Sequence, residues 1–166
     1  MREILLVPHA NRAENLQATS RAAELLQEAG ITVRVCADET VLPGLQHVPH
    51  SDAAAEGCEL VLVLGGDGTF LRAADMARAV DIPVLGVNLG HVGFLAEWEV
   101  ESLDGAVARV IEKSYRVEDR LTVDVSISDA NGQLLSSSWA LNEASVENQN
   151  RSGVLDAILE IDRRPG

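Results

Sequence analysis

The sequence predicts an α/β fold in which an open, mostly parallel sheet is followed by the start of an antiparallel β-sandwich. Up to about Tyr115, short apolar runs typical of strands alternate with segments of helical period. A two-residue alternation begins at Leu121, as expected of half-buried antiparallel strands. A turn rich in glycine also follows an early apolar run, which is typical of the ligand-binding edge of an open sheet. We therefore expect an α/β domain at residues 1–120 and the beginning of an all-β domain at residues 121–166.

The first domain is predicted to consist of strands joined by helices. Pro8 ends the first strand, and Asn11 is a suitable N-cap for the first helix, which Gly30 ends. Residues 36–50 have no period and contain two prolines, so they are predicted to form a long loop. The other boundaries follow from periodicity: strands at 2–7, 31–35, 59–64 and 82–87, and helical segments near 51–56, at 69–80 and at about 101–112.

Helical spacing also predicts which side chains of the first and third helical segments point inward. These are Leu16, Thr19, Ala23 and Leu26 in the first, and Phe70, Ala73, Ala74 and Ala77 in the third. Arg72 lies on the opposite side of its helix, in the first turn.

The second domain is predicted from its turns and its strand-like runs. Asn131-Gly132 is a strong hairpin signal after the strand at 121–127. Further strands are expected at 134–148 and 154–161. The last residues, 162–166, have the composition of a turn with no returning strand, so we expect a fragment cut inside a β domain.

Composition and charge exclude several classes of protein. With a net charge of −13 and no basic stripe, the chain is not expected to bind nucleic acid. No apolar stretch approaches the roughly 20 residues of a membrane span and no signal peptide is recognisable, so we expect no membrane association and a cytoplasmic location. Cys36 and Cys58 are isolated and the histidines show no metal-site spacing, so no residue is predicted to be a metal ligand.

The most informative segment is the Gly-Gly-Asp-Gly turn at residues 65–68, directly after the strand at 59–64. Its glycines are expected to adopt positive φ and to let a ligand approach the backbone. Asp67 can accept a proton or a hydroxyl hydrogen bond, while the N–H groups that open the next helix attract phosphate. The spacing fits neither a P-loop nor the dinucleotide fingerprint. Two interpretations remain: a tight turn in which Asp67 caps the helix, and a phosphate or ribose site, which the apolar run before the glycines favours.

Four motifs, in this order, resemble those of the bacterial NAD kinase family, and the resemblance runs from Arg2 to the end of the chain. They are Gly65–Thr69, Gly86–Leu95, Val117–Leu121 and Ala140–Glu143. The first alone is shared with diacylglycerol-type lipid kinases and phosphofructokinases, whereas the second glycine loop and the Asn-Glu pair make the match specific. The resemblance implies transfer of a γ-phosphoryl group to the 2′-hydroxyl of the adenosine ribose of NAD, which gives NADP.

The resemblance also implies roles for particular residues. Asp67 is the catalytic residue, Asn142 and Glu143 hold NAD, and Phe94 matches an apolar residue that lines the cleft. The set expected to bind nucleotide is completed by Gly66, Gly68, Thr69, Arg72, Asn88 and Arg151. We further expect ATP or polyphosphate as the phosphoryl donor, a divalent metal ion such as Mg²⁺, and a homo-oligomer, either a dimer or a tetramer.

Three points qualify this interpretation. The family continues with a second Gly-Asp-Gly and a Thr-Gly-Ser-Thr-Ala-Tyr stretch, neither of which is in this sequence, so we expect residues 1–166 to be inactive alone. The residues themselves leave Asn142 and Glu143 equally open to being an exposed strand end. A diacylglycerol-type lipid kinase and a non-catalytic dinucleotide-binding fragment are the alternative functions.

Overall fold

A computed structural model describes residues 1–9, 13–36, 42–88, 98–99, 103–149, 153–161 and 164–165. The chain divides into two compact units, Met1–Glu118 and Asp119–Gly166. The elements of the first unit are, in chain order, β1 (Glu3–Pro8), α1 (Ala13–Glu28), β2 (Thr32–Val35), β3 (Gln46–His47), β4 (Leu60–Leu64), α2 (Asp67–Val80), β5 (Val84–Asn88), β6 (Trp98–Glu99) and α3 (Leu103–Glu112).

The first unit is built on a six-stranded sheet with the order β3-β2-β1-β4-β5-β6, and every neighbouring pair is parallel. β4 lies at the centre, and all of its residues, Leu60–Leu64, are buried. A continuous apolar run is what a parallel strand covered on both faces requires. The predicted α/β class and the mostly parallel sheet are therefore confirmed.

Alternate residues of the central strands enter two separate hydrophobic cores. On one face Leu60 and Leu62 pack with Leu26 of α1 and Val107 of α3. On the other face Val61 and Val63 belong to the core that contains Ala73, Met76 and Ala77 of α2. Successive strand residues point to opposite faces, so one five-residue strand anchors helices on both sides of the sheet.

Two arginines form ion pairs near the amino ends of the strands, Arg2 with Glu59 and Arg34 with Glu3. Arg2 donates to both carboxylate oxygens of Glu59, at 2.9 and 3.1 Å from Nε, and to the carbonyl oxygens of Val110 and Ile111 at the end of α3. This pairing holds the pKa of the Glu59 carboxyl below its ordinary value. Arg34 similarly donates to Glu3 at 2.7 Å.

Several boundaries in the first unit differ from those predicted. The segment 36–50, predicted to be a loop, contains β3, whose two residues pair with β2. A strand of two residues is too short to show a periodic pattern in the sequence. The segment 51–57 forms successive turns rather than a helix, because its hydrogen bonds run from every second N–H to the carbonyl three residues earlier. β6 was not predicted, and Leu16 is 37% exposed rather than inward. Asn11 lies outside the described residues.

The second unit contains the antiparallel pair β7 (Val123–Ser128) and β8 (Leu134–Ala140), and the short pair β9 (Glu160–Ile161) and β10 (Arg164–Pro165). Gly132 has φ of 82° and follows Asn131 in the β7–β8 turn, as the sequence predicts. The Asp129 carboxylate accepts backbone N–H bonds from Gln133 and Asn131, which holds the pKa of Asp129 below its ordinary value.

The strand predictions for the second unit were too long. β8 ends at Ala140, so residues 141–148 are not strand, and only Glu160–Ile161 of the predicted strand at 154–161 pairs. The prediction of no returning strand was also wrong, because Arg164–Pro165 returns antiparallel to β9. Apolar residues alone predict strands here, but a strand also requires a partner for its backbone. In the described part of the chain, no helix is long and apolar enough to cross a membrane.

Candidate functional site

The strand order of the first unit reverses between β1 and β4. From β1 the chain continues outward through β2 and β3, whereas from β4 it continues in the other direction through β5 and β6. In open α/β sheets, ligands bind in the crevice beyond the carboxyl ends of the strands at this kind of reversal. The Gly-Gly-Asp-Gly turn lies there, because Gly65 is the residue directly after β4.

Backbone hydrogen bonds hold the ends of three strands together at this edge. The N–H of His9, directly after β1, donates to the carbonyl of Leu64 at 2.8 Å. The N–H of Gly65 donates to the carbonyl of Val87 in β5 at 3.0 Å. Asn88, the next residue, ends β5 and is buried. The structure therefore brings Asn88 and the glycine turn to one edge of the sheet.

α2 begins at Asp67, within the glycine turn and two residues earlier than predicted. Gly66 is the N-cap, with φ of −89° and ψ of −171°, and its carbonyl accepts the N–H groups of Thr69 and Phe70 at 3.0 Å. Asp67 is the first helical residue, and no side chain caps the helix, so the interpretation of Asp67 as the cap is wrong. A carboxylate in the first turn is stabilised by the helix dipole.

The three glycines of the turn are not there to supply positive φ. Among the described glycines, only Gly30, Gly44, Gly57 and Gly132 have positive φ, so this part of the prediction was wrong. Gly65 is instead required by packing, because a Cβ on it would lie 2.8 Å from Oγ1 of Thr69 and 3.0 Å from Cβ of His9. Beside Gly66 and Gly68 a Cβ would meet no atom within 4 Å.

The open space beside Gly66 and Gly68 favours a ligand-binding role for these two glycines. Neither backbone strain nor packing in the described residues requires glycine at these two positions. Glycine inside a helix is about 0.5–1 kcal/mol less stable than alanine. Gly68 therefore destabilises α2, and no packing requirement in the described residues explains why it is there. A ligand that approaches the backbone at this turn would account for both residues.

Side chains around the turn differ in exposure. Thr69 is buried, Asp67 is half-buried, and Arg72 is exposed one turn further along α2. The site therefore combines one carboxylate, the N–H groups at the start of a helix, and a cationic side chain. Such an arrangement can hold a phosphate near a group that accepts a proton.

The remaining predicted residues are not among the described residues of the first unit. Phe94 and Arg151 are outside the described residues. Asn142 and Glu143 belong to the second unit, where both are exposed and follow the end of β8. Their part in the site stays a prediction.

The described residues do not form a metal site of their own. No group of three or more histidine, cysteine, aspartate or glutamate side chains among them is placed to hold a metal ion.

A shallow cavity of about 400 Å³ lies at the opposite edge of the sheet. Its lining includes Gln27, Thr32 and Gln46, near the amino ends of β2 and β3, and no charged side chain. It offers neither a charged side chain nor the start of a helix to hold a phosphorylated ligand, so we place the candidate site at the glycine turn.

Sequence reasoning missed His9. Its backbone N–H joins β1 to β4, and its Cβ lies against the position that a Gly65 side chain would occupy. The sequence does indicate this position, because His9 directly follows a buried strand, as the glycine turn directly follows β4.

Comparison with known proteins gives a consistent result. Residues 4–115 match the family described as the ATP-NAD kinase N-terminal domain. The chain is 61% identical to the NAD kinase of Corynebacterium efficiens and 58% identical to that of Corynebacterium diphtheriae, in each case over 99% of this chain and 54% of the relative. It is 50% identical to the NAD kinase of Nocardia farcinica, over 99% of this chain and 56% of that relative. The chain thus spans about half the length of the curated relatives it matches.

The fold is also found among solved structures. A crystal structure of yeast NADH kinase complexed with NADH superposes with a TM-score of 0.69, over 86% of this chain and 47% of that one. At 17% identity this similarity shows a shared fold.

Proposed function

Because the chain belongs to the NAD kinase family, whose N-terminal domain it matches over residues 4–115, we propose that its protein phosphorylates NAD. The γ-phosphoryl group of ATP, or a phosphoryl group of polyphosphate, is transferred to the 2′-hydroxyl of the adenosine ribose, giving NADP. One observation carries the proposal: Asp67 stands at the reversal point of the sheet between two glycines that have open space beside them. The family match favours this reaction over lipid phosphorylation.

Asp67 is the proposed catalytic residue. The ribose oxygen forms a bond to the γ-phosphorus while the bond from that phosphorus to the leaving oxygen breaks. The hydroxyl proton passes to the Asp67 carboxylate and then to solvent. An ordinary carboxylate is too weak a base to form an alkoxide in advance, so it orients the hydroxyl in line and accepts the proton late, in a loose transition state.

The phosphates are proposed to lie over the glycine turn. The absent side chains of Gly66 and Gly68 let them reach the N–H groups at the start of α2. Thr69, Arg72 and Asn88 complete this part of the site. Because the net charge of −13 repels a polyanion, we propose that Mg²⁺ enters with the phosphoryl donor as part of the substrate.

The dinucleotide is proposed to contact the second unit as well. Asn142 offers both a donor and an acceptor, which suits a purine edge or a ribose, and Glu143 accepts from an amino or hydroxyl group. Phe94 and Arg151 are also proposed to bind the nucleotide. These four assignments depend on the motif resemblance.

Two wider properties belong to the same proposal. We propose a cytoplasmic location, which the free and buried Cys36 and Cys58 support, since buried thiols persist in a reducing compartment. We also propose a homo-oligomer, a dimer or a tetramer, on the basis of the motif resemblance.

The test compares two phosphoryl acceptors, supplied separately, by analysis of the product formed from each. The gene's complete product and the chain of residues 1–166 are each incubated with ATP, Mg²⁺ and either NAD or a diacylglycerol, and NADP is measured enzymatically. NADP formed by the complete product supports the proposal, whereas phosphorylation of the lipid alone contradicts it. NADP formed by residues 1–166 at a similar rate would contradict our expectation that this chain alone is inactive.

A further inference from the structure

We propose that His9 is a further substrate-contacting residue, whose imidazole donates a hydrogen bond to a phosphate oxygen held at the glycine turn. This inference rests on the proposed function, because it places the residue in the same site. The phosphate belongs either to the phosphoryl donor or to the dinucleotide, and the experiment below distinguishes these two sources.

The register of the sheet places His9 beside the turn. Pro8 of β1 pairs with Leu64 of β4, so the next residues, His9 and Gly65, are neighbours across the reversal point. The N–H of His9 donates to the carbonyl of Leu64 at 2.8 Å, which fixes its backbone there. A Cβ on Gly65 would lie 3.0 Å from Cβ of His9, so the histidine stands against the turn itself.

Because successive side chains of a strand point to opposite faces of the sheet, the packing of β1 indicates the face on which His9 lies. Val7 packs in the core that contains Ala73 and Met76 of α2, and His9, two residues later, continues on that face. Gly65 has the same parity as Val61 and Val63, which belong to the same core. His9 and the first turn of α2 therefore border the same space.

Charge explains what an imidazole can do at this position. A phosphate chain near Asp67 in a protein of net charge −13 requires local hydrogen-bond donors. His9 is an exposed residue, so part of it is accessible to a ligand. An imidazole always carries at least one N–H donor, whichever its protonation state.

The experiment measures binding with the chain of residues 1–166. The imidazoles are labelled with ¹⁵N, and their signals are followed while inorganic tripolyphosphate, ATP and NAD are added separately. Affinities are measured by calorimetry for the parent chain, His9→Ala, His9→Gln and His9→Leu. His47→Gln is the matched control, because His47 is also exposed but lies within β3, at the far edge of the sheet.

The expected result is a shift of the His9 signals and unchanged His47 signals. His9→Ala and His9→Leu should weaken binding about fivefold to twentyfold, and His9→Gln, which keeps an N–H donor, should recover part of the affinity. A loss confined to tripolyphosphate and ATP assigns the phosphate to the donor, whereas a loss confined to NAD assigns it to the dinucleotide. Thermal unfolding of each variant confirms that the fold persists.

Three results would overturn the inference. If the parent binds any of the three probes and His9→Ala binds equally well, His9 does not contact phosphate, while the proposed site remains. If the parent binds none of them, the proposed site and the role of His9 both fail in this chain. Recovery by His9→Leu but not by His9→Gln would show a packing role instead.

Discussion

Gly65, Gly66 and Gly68 share one turn, yet an added methyl group meets different surroundings at each. We expect Gly65→Ala to lower the free energy of unfolding by about 1–3 kcal/mol, because the methyl group would press on Thr69 and His9. Gly68→Ala should instead raise it, by at most about 1 kcal/mol, and yet weaken nucleotide binding. Denaturant titration and calorimetry of both variants check this opposition. A destabilised Gly68→Ala, or one that binds normally, would contradict the ligand explanation for this glycine.

The role of Asp67 is tested by a change that keeps its shape and removes its charge. Asp67→Asn in the complete product should lower turnover by about 10²–10⁴-fold, the usual range for losing a general base, and should change NAD affinity much less. Asp75→Asn, at an exposed position of the same helix, is the matched control. Turnover within a few-fold of the parent would remove Asp67 from the chemistry.

At the scale of elements, one ion pair joins the start of β4 to the end of α3. Arg2 binds the Glu59 carboxylate and two carbonyl groups at the end of α3, and Lys113 lies 3.5 Å from the same carboxylate. The lowered pKa of Glu59 means that the folded state favours the ionised form. This stabilisation is therefore present above the unfolded pKa of about 4.3 and is lost as the pH falls through the lower folded pKa.

The corresponding prediction concerns Glu59→Gln. At pH 7 the variant should unfold with a free energy lower by about 1–2 kcal/mol, since charge-assisted hydrogen bonds are lost. As the pH falls from about 4.3 through the lower folded pKa of Glu59, the difference from the parent should shrink, because Glu59 of the parent becomes protonated. Urea titrations from pH 3 to pH 7 measure this, with Glu28→Gln, at the exposed end of α1, as the control. A difference that does not depend on pH would contradict the ion-pair explanation.

At the scale of the whole molecule, the two units differ in how well they bury their apolar residues. The first unit has two cores beneath its helices, whereas in the second unit Leu121, Val154 and Ile158 are 96%, 89% and 89% exposed. We expect residues 1–120 to fold alone and residues 1–166 to self-associate through the second unit. Light scattering and hydrogen exchange of both chains check this. A monomeric chain of residues 1–166 at high concentration would contradict it.

Much of the first unit could be predicted because its signals are local. The apolar run at 60–64, the turn after it and the spacing of Ala73, Ala74 and Ala77 lie close together in the sequence. β3 and β6 could not be predicted, since each consists of two residues that pair with a strand already formed. In the second unit the apolar residues at 154–159 resembled a strand, but without a paired backbone they do not form one.

The sequence by itself determined the alternation of strands and helices and the position of the Gly-Gly-Asp-Gly turn at a strand end, because apolar period and turn residues act over a few neighbours. Only the tertiary structure decided that β1 lies beside β4, which places His9 against Gly65, 56 positions later in the chain. It also decided that Gly65 is packed while Gly66 and Gly68 face open space. These features depend on the order of strands in the sheet, which arises from contacts between residues far apart in the chain.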